Sequence, residues 1–337
     1  IERQRRSQVW LTDRLLRDLL TDVTGNTHRA EFCIDKLYNP DRGAAGRLGL
    51  LEMRGFEMPP HERMALVQQL LVRALVLRFW ETPYAAPLVR WGTRLHDRVL
   101  LPSFAAADLR SVVEDLNAHL DGPAFDIAWL EAFLEFRFPR LGEVDVDGVH
   151  LELRGALEPW HVLGEEVTQQ GTSRFVDSSV ERVQVAATGL VPGRHVVTCN
   201  GVPVPMVKAG STGGFTTVSD AGALVGGVRF RAWAPPSALH PSIGVHSPLD
   251  FDLVDTWNDQ SLGGFTYHIV HPGGRSYEDY PVNAAAAETR RASRFVPNRT
   301  SGRVDRSGWP TAMPLLSTQP DEYPVTLDLR RHDRGHA

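Results

Sequence analysis

The stretch LGLLEMRGFEMPPH at residues 48–61 is the part of the sequence that best predicts the fold of this chain. Side chains on an extended strand alternate between two faces, so Glu52, Arg54 and Phe56 share one face. Carboxylate oxygens coordinate hard cations, and the planar guanidinium of arginine binds phosphate or carboxylate at two points. The Glu-x-Arg pair therefore predicts a site that holds a metal ion and a phosphate together. The strand should end at Pro59-Pro60, where a helix follows.

Composition indicates an ordinary globular protein. The 337 residues are enough for two domains, and 42% hydrophobic with 23% charged residues is typical of a globular chain. A net charge of −5 gives no reason to expect nucleic acid or an anionic membrane as a partner. No apolar run is long enough to cross a bilayer, and no signal peptide opens the chain. The two cysteines, Cys33 and Cys199, are far apart and fit a reducing cytoplasm better than a disulfide framework.

The pattern along the chain predicts an α+β fold in three parts. Residues 1–144 read as an α+β domain with a partial antiparallel sheet, 145–283 as an antiparallel β-sandwich, and 284–337 as a short helix with a loosely ordered tail. Helices are predicted over 1–20, 62–80, 105–120, 126–134 and 284–294. Strands are predicted over 27–38, 48–58, 149–154, 174–188, 194–207, 225–233, 249–257 and 263–270. The dipeptide Asn200-Gly201 predicts a tight hairpin turn, because both residues tolerate positive φ.

Two further patterns bear on organisation. The chain opens on Ile1 within an amphipathic pattern, so we expect it to be the later part of a longer polypeptide. The pattern Leu-Glu-x-Arg occurs at 51–54, 134–137 and 151–154. We interpret this echo as chance in a chain rich in these residues, since no repeat period accompanies it.

Several segments resemble a bacterial amidoligase domain, and together they cover nearly the whole chain. They are NTHRAEFCIDKLY (26–38), GLLEMRGFEMPPH (49–61), RWGTRLHDR (90–98), LEPWHVLGE (157–165), VDSSVER (176–182), SALHP (237–241) and YHIVHPGGR (267–275). In that family the domain follows a transglutaminase-like domain. The resemblance places this chain in the C-terminal portion of such a protein, with those upstream domains as partners.

The resemblance implies a fold shared with glutamine synthetase and glutamate–cysteine ligase. In that fold a curved antiparallel sheet holds divalent metal ions and ATP, a carboxylate is phosphorylated, and an amine then displaces phosphate to give an amide. Glutamine synthetases carry R-I-E-x-R-x-P on an active-site strand, and residues 50–56 are similar in the Glu-x-Arg core and in the helix that follows. They depart from the motif at Leu50, where it has Arg. Earlier strands of such a sheet would precede residue 1, so the isolated chain is expected to be incomplete as an enzyme.

The resemblance and the residue chemistry together give a candidate site. Glu52 is implied as a metal ligand and Arg54 as a clamp for phosphate or substrate carboxylate. Glu31 and Asp35, on one face of the predicted strand 27–38, are further metal candidates, and Arg29 is a second clamp. The candidates for nucleotide contact are Lys36 and His61. The expected cofactors are ATP and Mg²⁺, and the expected substrates are peptides or amino-acid derivatives.

Four alternatives remain open from the sequence. Glu52 and Arg54 could form a plain salt bridge, and His61 could cap the following helix. The β-rich half could be a non-catalytic sandwich that binds a peptide or protein within a larger polypeptide. A hydrolase would need a nucleophile, for which Cys33 is a candidate on the proposed active face.

Overall fold

A computed structural model describes residues 32–33, 43–45, 47–53, 55–87, 89–120, 125–158, 167–168, 171–172, 179–209, 222–234, 243–269, 278–309 and 325–332. The chain divides into two compact units. The first unit comprises Ile1–Ala65 with Gly164–Val176, and the second comprises Leu66–Leu163 with Asp177–Ala337. The boundaries expected at 144/145 and 283/284 stay predictions.

The described part contains five α-helices and fifteen strands, numbered here along the chain. The helices are α1 (Glu62–Glu81), α2 (Leu95–Leu100), α3 (Pro102–His119), α4 (Ala128–Arg137) and α5 (Ala284–Ala292). The strands are β1 (Phe32–Cys33), β2 (Glu52–Met53), β3 (Arg140–Val146), β4 (Val149–Gly155), β5 (Val167–Thr168), β6 (Gly171–Thr172), β7 (Val180–Thr188), β8 (His195–Cys199), β9 (Val202–Pro203), β10 (Val207–Lys208), β11 (Leu224–Arg231), β12 (Leu249–Asp255), β13 (Gln260–Tyr267), β14 (Phe295–Arg299) and β15 (Thr326–Asp328).

In the first unit, the strand segments are short. β1 pairs antiparallel with β2, and this places Cys33 opposite Glu52 and Phe32 opposite Met53. β5 pairs antiparallel with β6. The strand expected over 48–58 is confined to Glu52–Met53 among the described residues of that range. One reason is Gly49, whose φ of 65° is incompatible with extended backbone.

The helices of the second unit follow the predicted apolar periodicity. Val113 and Leu116 of α3 form a buried cluster with Phe125 and with Leu130 of α4. The stripe of α1 that includes Val67 and Leu71 packs against this cluster from one side. Pro102 occupies the first turn of α3, where the missing N–H costs nothing. Asn283 caps α5 by accepting a hydrogen bond from the Ala286 N–H over 2.8 Å.

Two larger sheets form the rest of the second unit. The first has the order β10-β11-β7-β4-β3, with β15 added parallel to β11. The second is antiparallel, with the order β14-β13-β12-β8-β9. The turn between β8 and β9 is the predicted hairpin, in which Asn200 has φ 50° and Gly201 has φ 78°. Positive φ at both central residues identifies the tight turn that Asn-Gly favours.

One hydrophobic core contains side chains from both sheets. It includes Leu151 and Leu153 of β4, and Phe251 and Phe265, whose rings stack with centroids 4.8 Å apart. Since alternate residues of β4 enter this core, its other residues face the opposite side of the sheet. The predicted α+β class is confirmed by these helices and sheets. The glutamine synthetase-like arrangement and the sandwich stay predictions.

Part of the segment expected to be a loosely ordered tail is regular structure. β14 extends the second sheet, and β15 lies buried beside β11 in the first. The residues 325–329 alternate apolar and polar side chains, and Leu327 and Leu329 enter the hydrophobic core. Burial of this short alternating run explains the difference, since its non-local partner strand is not visible in the local pattern.

Candidate functional site

The structure describes two of the predicted site residues. Glu52 is half-buried on β2, opposite Cys33 of β1. His61 is exposed at the start of α1, where its Nδ1 accepts a hydrogen bond from the Arg63 N–H over 3.1 Å and lies 3.6 Å from the Glu62 carboxylate. These contacts agree with a helix-start role for His61. The remaining predicted residues, which are Arg29, Glu31, Asp35, Lys36 and Arg54, lie outside the described residues.

The described residues contain no cluster of three or more His, Cys, Asp or Glu side chains that could hold a metal ion. The predicted metal set is not covered by that finding, because two of its members, Glu31 and Asp35, are not described. The half-buried carboxylate of Glu52 is an oxygen donor of the type that Mg²⁺ prefers. The set therefore stays a prediction.

A Glu-x-Arg pair is fully described at a second position, on β4. The Arg154 Nε donates to Glu152 Oε1 over 2.8 Å, and the two side chains are only 3% and 1% exposed. The spacing of two puts both on the face of β4 away from the hydrophobic core. Glu135 of α4 contacts the same guanidinium, with Arg154 Nη1 to Glu135 Oε2 at 2.6 Å. At this position the Glu-x-Arg pattern produces a buried ion pair.

The two carboxylates favour the charged form of Arg154. Burial opposes the charge of Arg154, but the hydrogen bonds and charges of Glu152 and Glu135 outweigh it and raise the pKa of Arg154. Burial likewise raises the pKa of Glu152, against the attraction of Arg154. The residues 134–137 and 151–154 thus meet in space, so two of the three echoed segments form one interaction.

A second buried network joins three of the segments that carry the family resemblance. Arg182 of β7 donates from Nη1 to Thr326 Oγ1 over 2.7 Å, and its guanidinium lies 3.2 Å from Glu158 Oε2. Arg182 Nη1 also lies 3.7 Å from Asp97 Oδ1. Asp97 comes from the segment 90–98, Glu158 from 157–165 and Arg182 from 176–182. Residues far apart in sequence therefore meet on the face of the first sheet opposite its core.

This network fixes the last described strand. The carboxylate of Asp97 accepts hydrogen bonds from the Val325 N–H and the Thr326 hydroxyl, both over 2.8 Å. Burial nevertheless raises the pKa of Asp97. Since Asp97 belongs to α2, these bonds join β15 to that helix.

The network continues on the same side of β11. Arg229 donates to Glu158 Oε1 over 2.6 Å and lies 3.4 Å from Asp328 Oδ2. Arg330 donates to Asp328 over 2.9 and 2.7 Å. Burial would raise the pKa of Asp328, but Arg330 and Arg229 hold it below its ordinary value. Three carboxylates and three guanidinium groups thus balance one another in this layer, which explains how it tolerates burial.

A cleft of about 940 Å³ opens in the second unit. Its described lining comes from the β8–β9 turn and β9, from residues 244–248 before β12, from 305–309, and from residues 327–332. Leu327 and Leu329 contribute to the lining. Because their neighbours Thr326 and Asp328 belong to the buried network, the charged layer holds this wall of the cleft.

Local hydrogen bonds order the cleft walls. The Trp309 indole N–H donates to the Gly201 carbonyl over 3.1 Å, and the Asn200 Oδ1 accepts from the Asp250 N–H over 2.8 Å. His246 accepts at Nδ1 from the Arg231 N–H over 3.2 Å and is 9% exposed. Sequence reasoning missed the cleft. The Asn-Gly turn was its only visible signal, since the other walls come from distant segments.

Comparison with known proteins agrees with the resemblance drawn from the motifs. The chain belongs to the family described as "Putative amidoligase enzyme (DUF2126)", whose family model matches residues 1–330. No curated protein and no solved structure matches the chain. Within the described residues, no helix has the length and apolar character needed to cross a membrane.

Proposed function

We propose that this protein forms amide bonds as an ATP- and Mg²⁺-dependent carboxylate–amine ligase. The observation that carries the proposal is membership of the amidoligase family over residues 1–330. The position of Glu52 on a paired strand supports it, because a carboxylate held by backbone pairing presents oxygens at a defined place. The fold around this strand would be the glutamine synthetase-like sheet, and the second unit would contribute a β-sandwich.

The proposed chemistry proceeds in two balanced steps. A substrate carboxylate oxygen bonds to the γ-phosphorus of ATP as the bond to ADP breaks, which gives an acyl phosphate. An amine nitrogen then bonds to the acyl carbon, loses a proton, and inorganic phosphate leaves. Mg²⁺ would neutralise charge on the transferring oxygens.

Each protein residue has a proposed part in this chemistry. Glu52, with Glu31 and Asp35, would hold the metal through carboxylate oxygens. Arg54 and Arg29 would orient phosphoryl or carboxylate oxygens through two-point hydrogen bonds. Lys36 and His61 would contact the nucleotide. A peptide or amino-acid derivative would be the substrate, and upstream domains of the same polypeptide, including a transglutaminase-like domain, would be partners.

The first test is ligand-induced stabilisation. A ligand present at 100 times its dissociation constant adds about 2.7 kcal/mol to the free energy of unfolding, which raises the melting temperature. We expect ATP with Mg²⁺ to raise it in the wild type and in Glu57→Gln, an exposed carboxylate on the same stretch, but not in Glu52→Gln. No shift in the wild type, or an equal shift in both variants, would contradict the assigned role of Glu52.

The second test is the reaction itself. With ATP, Mg²⁺, hydroxylamine and a dipeptide, a ligase releases phosphate and forms a hydroxamate in equal amounts. Phosphate release without hydroxamate would indicate simple hydrolysis of ATP. Binding of peptide with no ATP-dependent shift would favour the non-catalytic peptide-binding module.

A further inference from the structure

The cleft in the second unit has the size and mixed lining of a ligand site. Its volume of about 940 Å³ lies within the range of about 300–1,000 Å³ that small-molecule sites occupy. Trp309, Val245 and Pro248 supply apolar surface, while Asn200 and Ser307 supply hydrogen-bonding groups. The Trp309 ring is held in place by its hydrogen bond to the Gly201 carbonyl. A fixed aromatic ring can contact an apolar group with little loss of conformational entropy.

The charges of the lining narrow the class of ligand. Among the described lining residues, the side chains with a formal charge at neutral pH are Asp305 and Arg331, one of each sign. Both are exposed, so a ligand can reach them. The Arg331 guanidinium lies 3.9 Å from the Asp328 carboxylate, and the Arg331 side chain is 53% exposed. A polyphosphate would require an excess of positive charge, whereas a ligand with one ammonium and one carboxylate matches this pair.

We propose that this cleft binds a short peptide with free ammonium and carboxylate groups. Arg331 would pair with the carboxylate, Asp305 with the ammonium group, and Trp309 would contact a side chain. The claim that the bound peptide is a substrate rests on the proposed ligase function. The claim that a peptide binds in this cleft does not rest on it. The buried network of Asp97, Arg182 and Thr326 would position Arg331. It holds β15 in place, and β15 leads into the wall of the cleft that carries Arg331.

The test measures binding of the dipeptide Ala-Phe by calorimetry, together with its N-acetylated and C-amidated forms. Each blocked form should bind the wild type about three- to tenfold more weakly, because it loses one charge. Arg331→Gln should bind Ala-Phe more weakly by a similar factor and should no longer distinguish the amidated form. Asp305→Asn should no longer distinguish the acetylated form.

Matched controls separate this site from general charge effects. Arg303→Gln and Asp108→Asn change exposed residues outside the cleft lining and should bind all three peptides as the wild type does. Equal affinity of the wild type for free and blocked peptides would overturn the proposal, as would no binding at millimolar concentration. Loss of binding in the two controls would also overturn it.

The outcome is independent of the ATP test. If Ala-Phe binds as expected while ATP and Mg²⁺ give no stabilisation, the peptide site stands and the ligase function fails. If ATP and Mg²⁺ stabilise the protein through Glu52 while no dipeptide binds, the cleft proposal fails and the ligase function stands.

Discussion

Glu152 and Arg154 form a buried ion pair two residues apart on β4, with Nε to Oε1 at 2.8 Å and side chains 1% and 3% exposed. Their spacing equals that of Glu52 and Arg54. On β4 the pair is covered, and Glu135 of α4 satisfies a further nitrogen of the guanidinium. The same local pattern can therefore produce a buried structural ion pair instead of the ligand-binding pair predicted for Glu52 and Arg54. The residues packed around the pair decide which of the two forms.

Removal of the guanidinium should destabilise the protein strongly. Arg154→Met leaves the Glu152 carboxylate buried without its partner, so we expect a loss of about 3–5 kcal/mol in the free energy of unfolding. The double variant Glu152→Met with Arg154→Met should recover most of that loss, because no charge is left buried. Denaturant unfolding measures both. Arg140→Met, which breaks an exposed pair with Glu143, should cost less than about 1 kcal/mol. A double variant no more stable than Arg154→Met would contradict this account.

The hydroxyl of Thr326 should contribute more to the stability of the protein than its methyl group. It donates to Asp97 and accepts from Arg182, so Thr326→Val leaves two buried charged groups with one partner fewer. We expect a loss of about 1–3 kcal/mol in unfolding free energy and faster amide exchange over 325–329. Thr326→Ser keeps the hydroxyl and should retain most of the stability. Equal losses in the two variants would show that packing, and not the hydrogen bonds, holds β15.

Acid should reduce the stability that Asp255 contributes through its contact with Arg194. The hydrogen bond from Arg194 holds the pKa of Asp255 well below its usual range, assisted by the Trp257 N–H and the Asn258 amide. A carboxyl group with a depressed folded-state pKa adds stability above its unfolded pKa, about 4, and loses it as pH falls further. The stability gap between the wild type and Asp255→Asn should therefore narrow from pH 6 to pH 3.

Urea unfolding across that pH range measures the gap. The exposed residue Asp279 supplies the control, since Asp279→Asn should stay within about 0.5 kcal/mol of the wild type throughout. A gap that stays constant or widens on acidification would contradict the expected direction.

The turn at Asn200-Gly201 should disfavour a β-carbon at Gly201 because of its backbone conformation. Gly201 has φ 78°, and a β-carbon there would meet no atom within 4 Å, so the cost of Gly201→Ala is backbone strain alone. We expect a loss of about 1–2 kcal/mol, read from thermal unfolding. Gly201→Asn should cost less, because asparagine adopts positive φ more readily. Alanine tolerated as well as asparagine would show that the turn relaxes to another conformation.

Local patterns predicted most elements of the second unit. The apolar periodicity placed α1 at 62–80, against Glu62–Glu81 in the structure, and alternation placed β4 at 149–154, against Val149–Gly155. These predictions succeed because period and face are local properties of the backbone. The three-residue strand β15 was missed, since the alternating run 325–329 contains a strand only because it pairs with β11.

The candidate site was less accessible to sequence reasoning. Glu52 was placed on a strand, which the structure confirms, but the roles of the seven predicted residues stay predictions. Glu158 and Arg182 lay in the quoted motifs but were given no role, because a motif does not show which distant residue a charged side chain will contact. Nothing in residues 305–309 or 331–332 alone indicates that they share a cleft.

By itself, the sequence determined the α+β class, the helix and strand periods, the Asn-Gly turn and the family. Only the tertiary structure decided that Arg182 meets Asp97 and Glu158, that Arg154 is closed off by two carboxylates, and that four distant segments enclose a cleft. The physical reason is that φ/ψ preference and side-chain alternation act over a few residues. Burial and ion pairing depend instead on which segments the folded chain brings together.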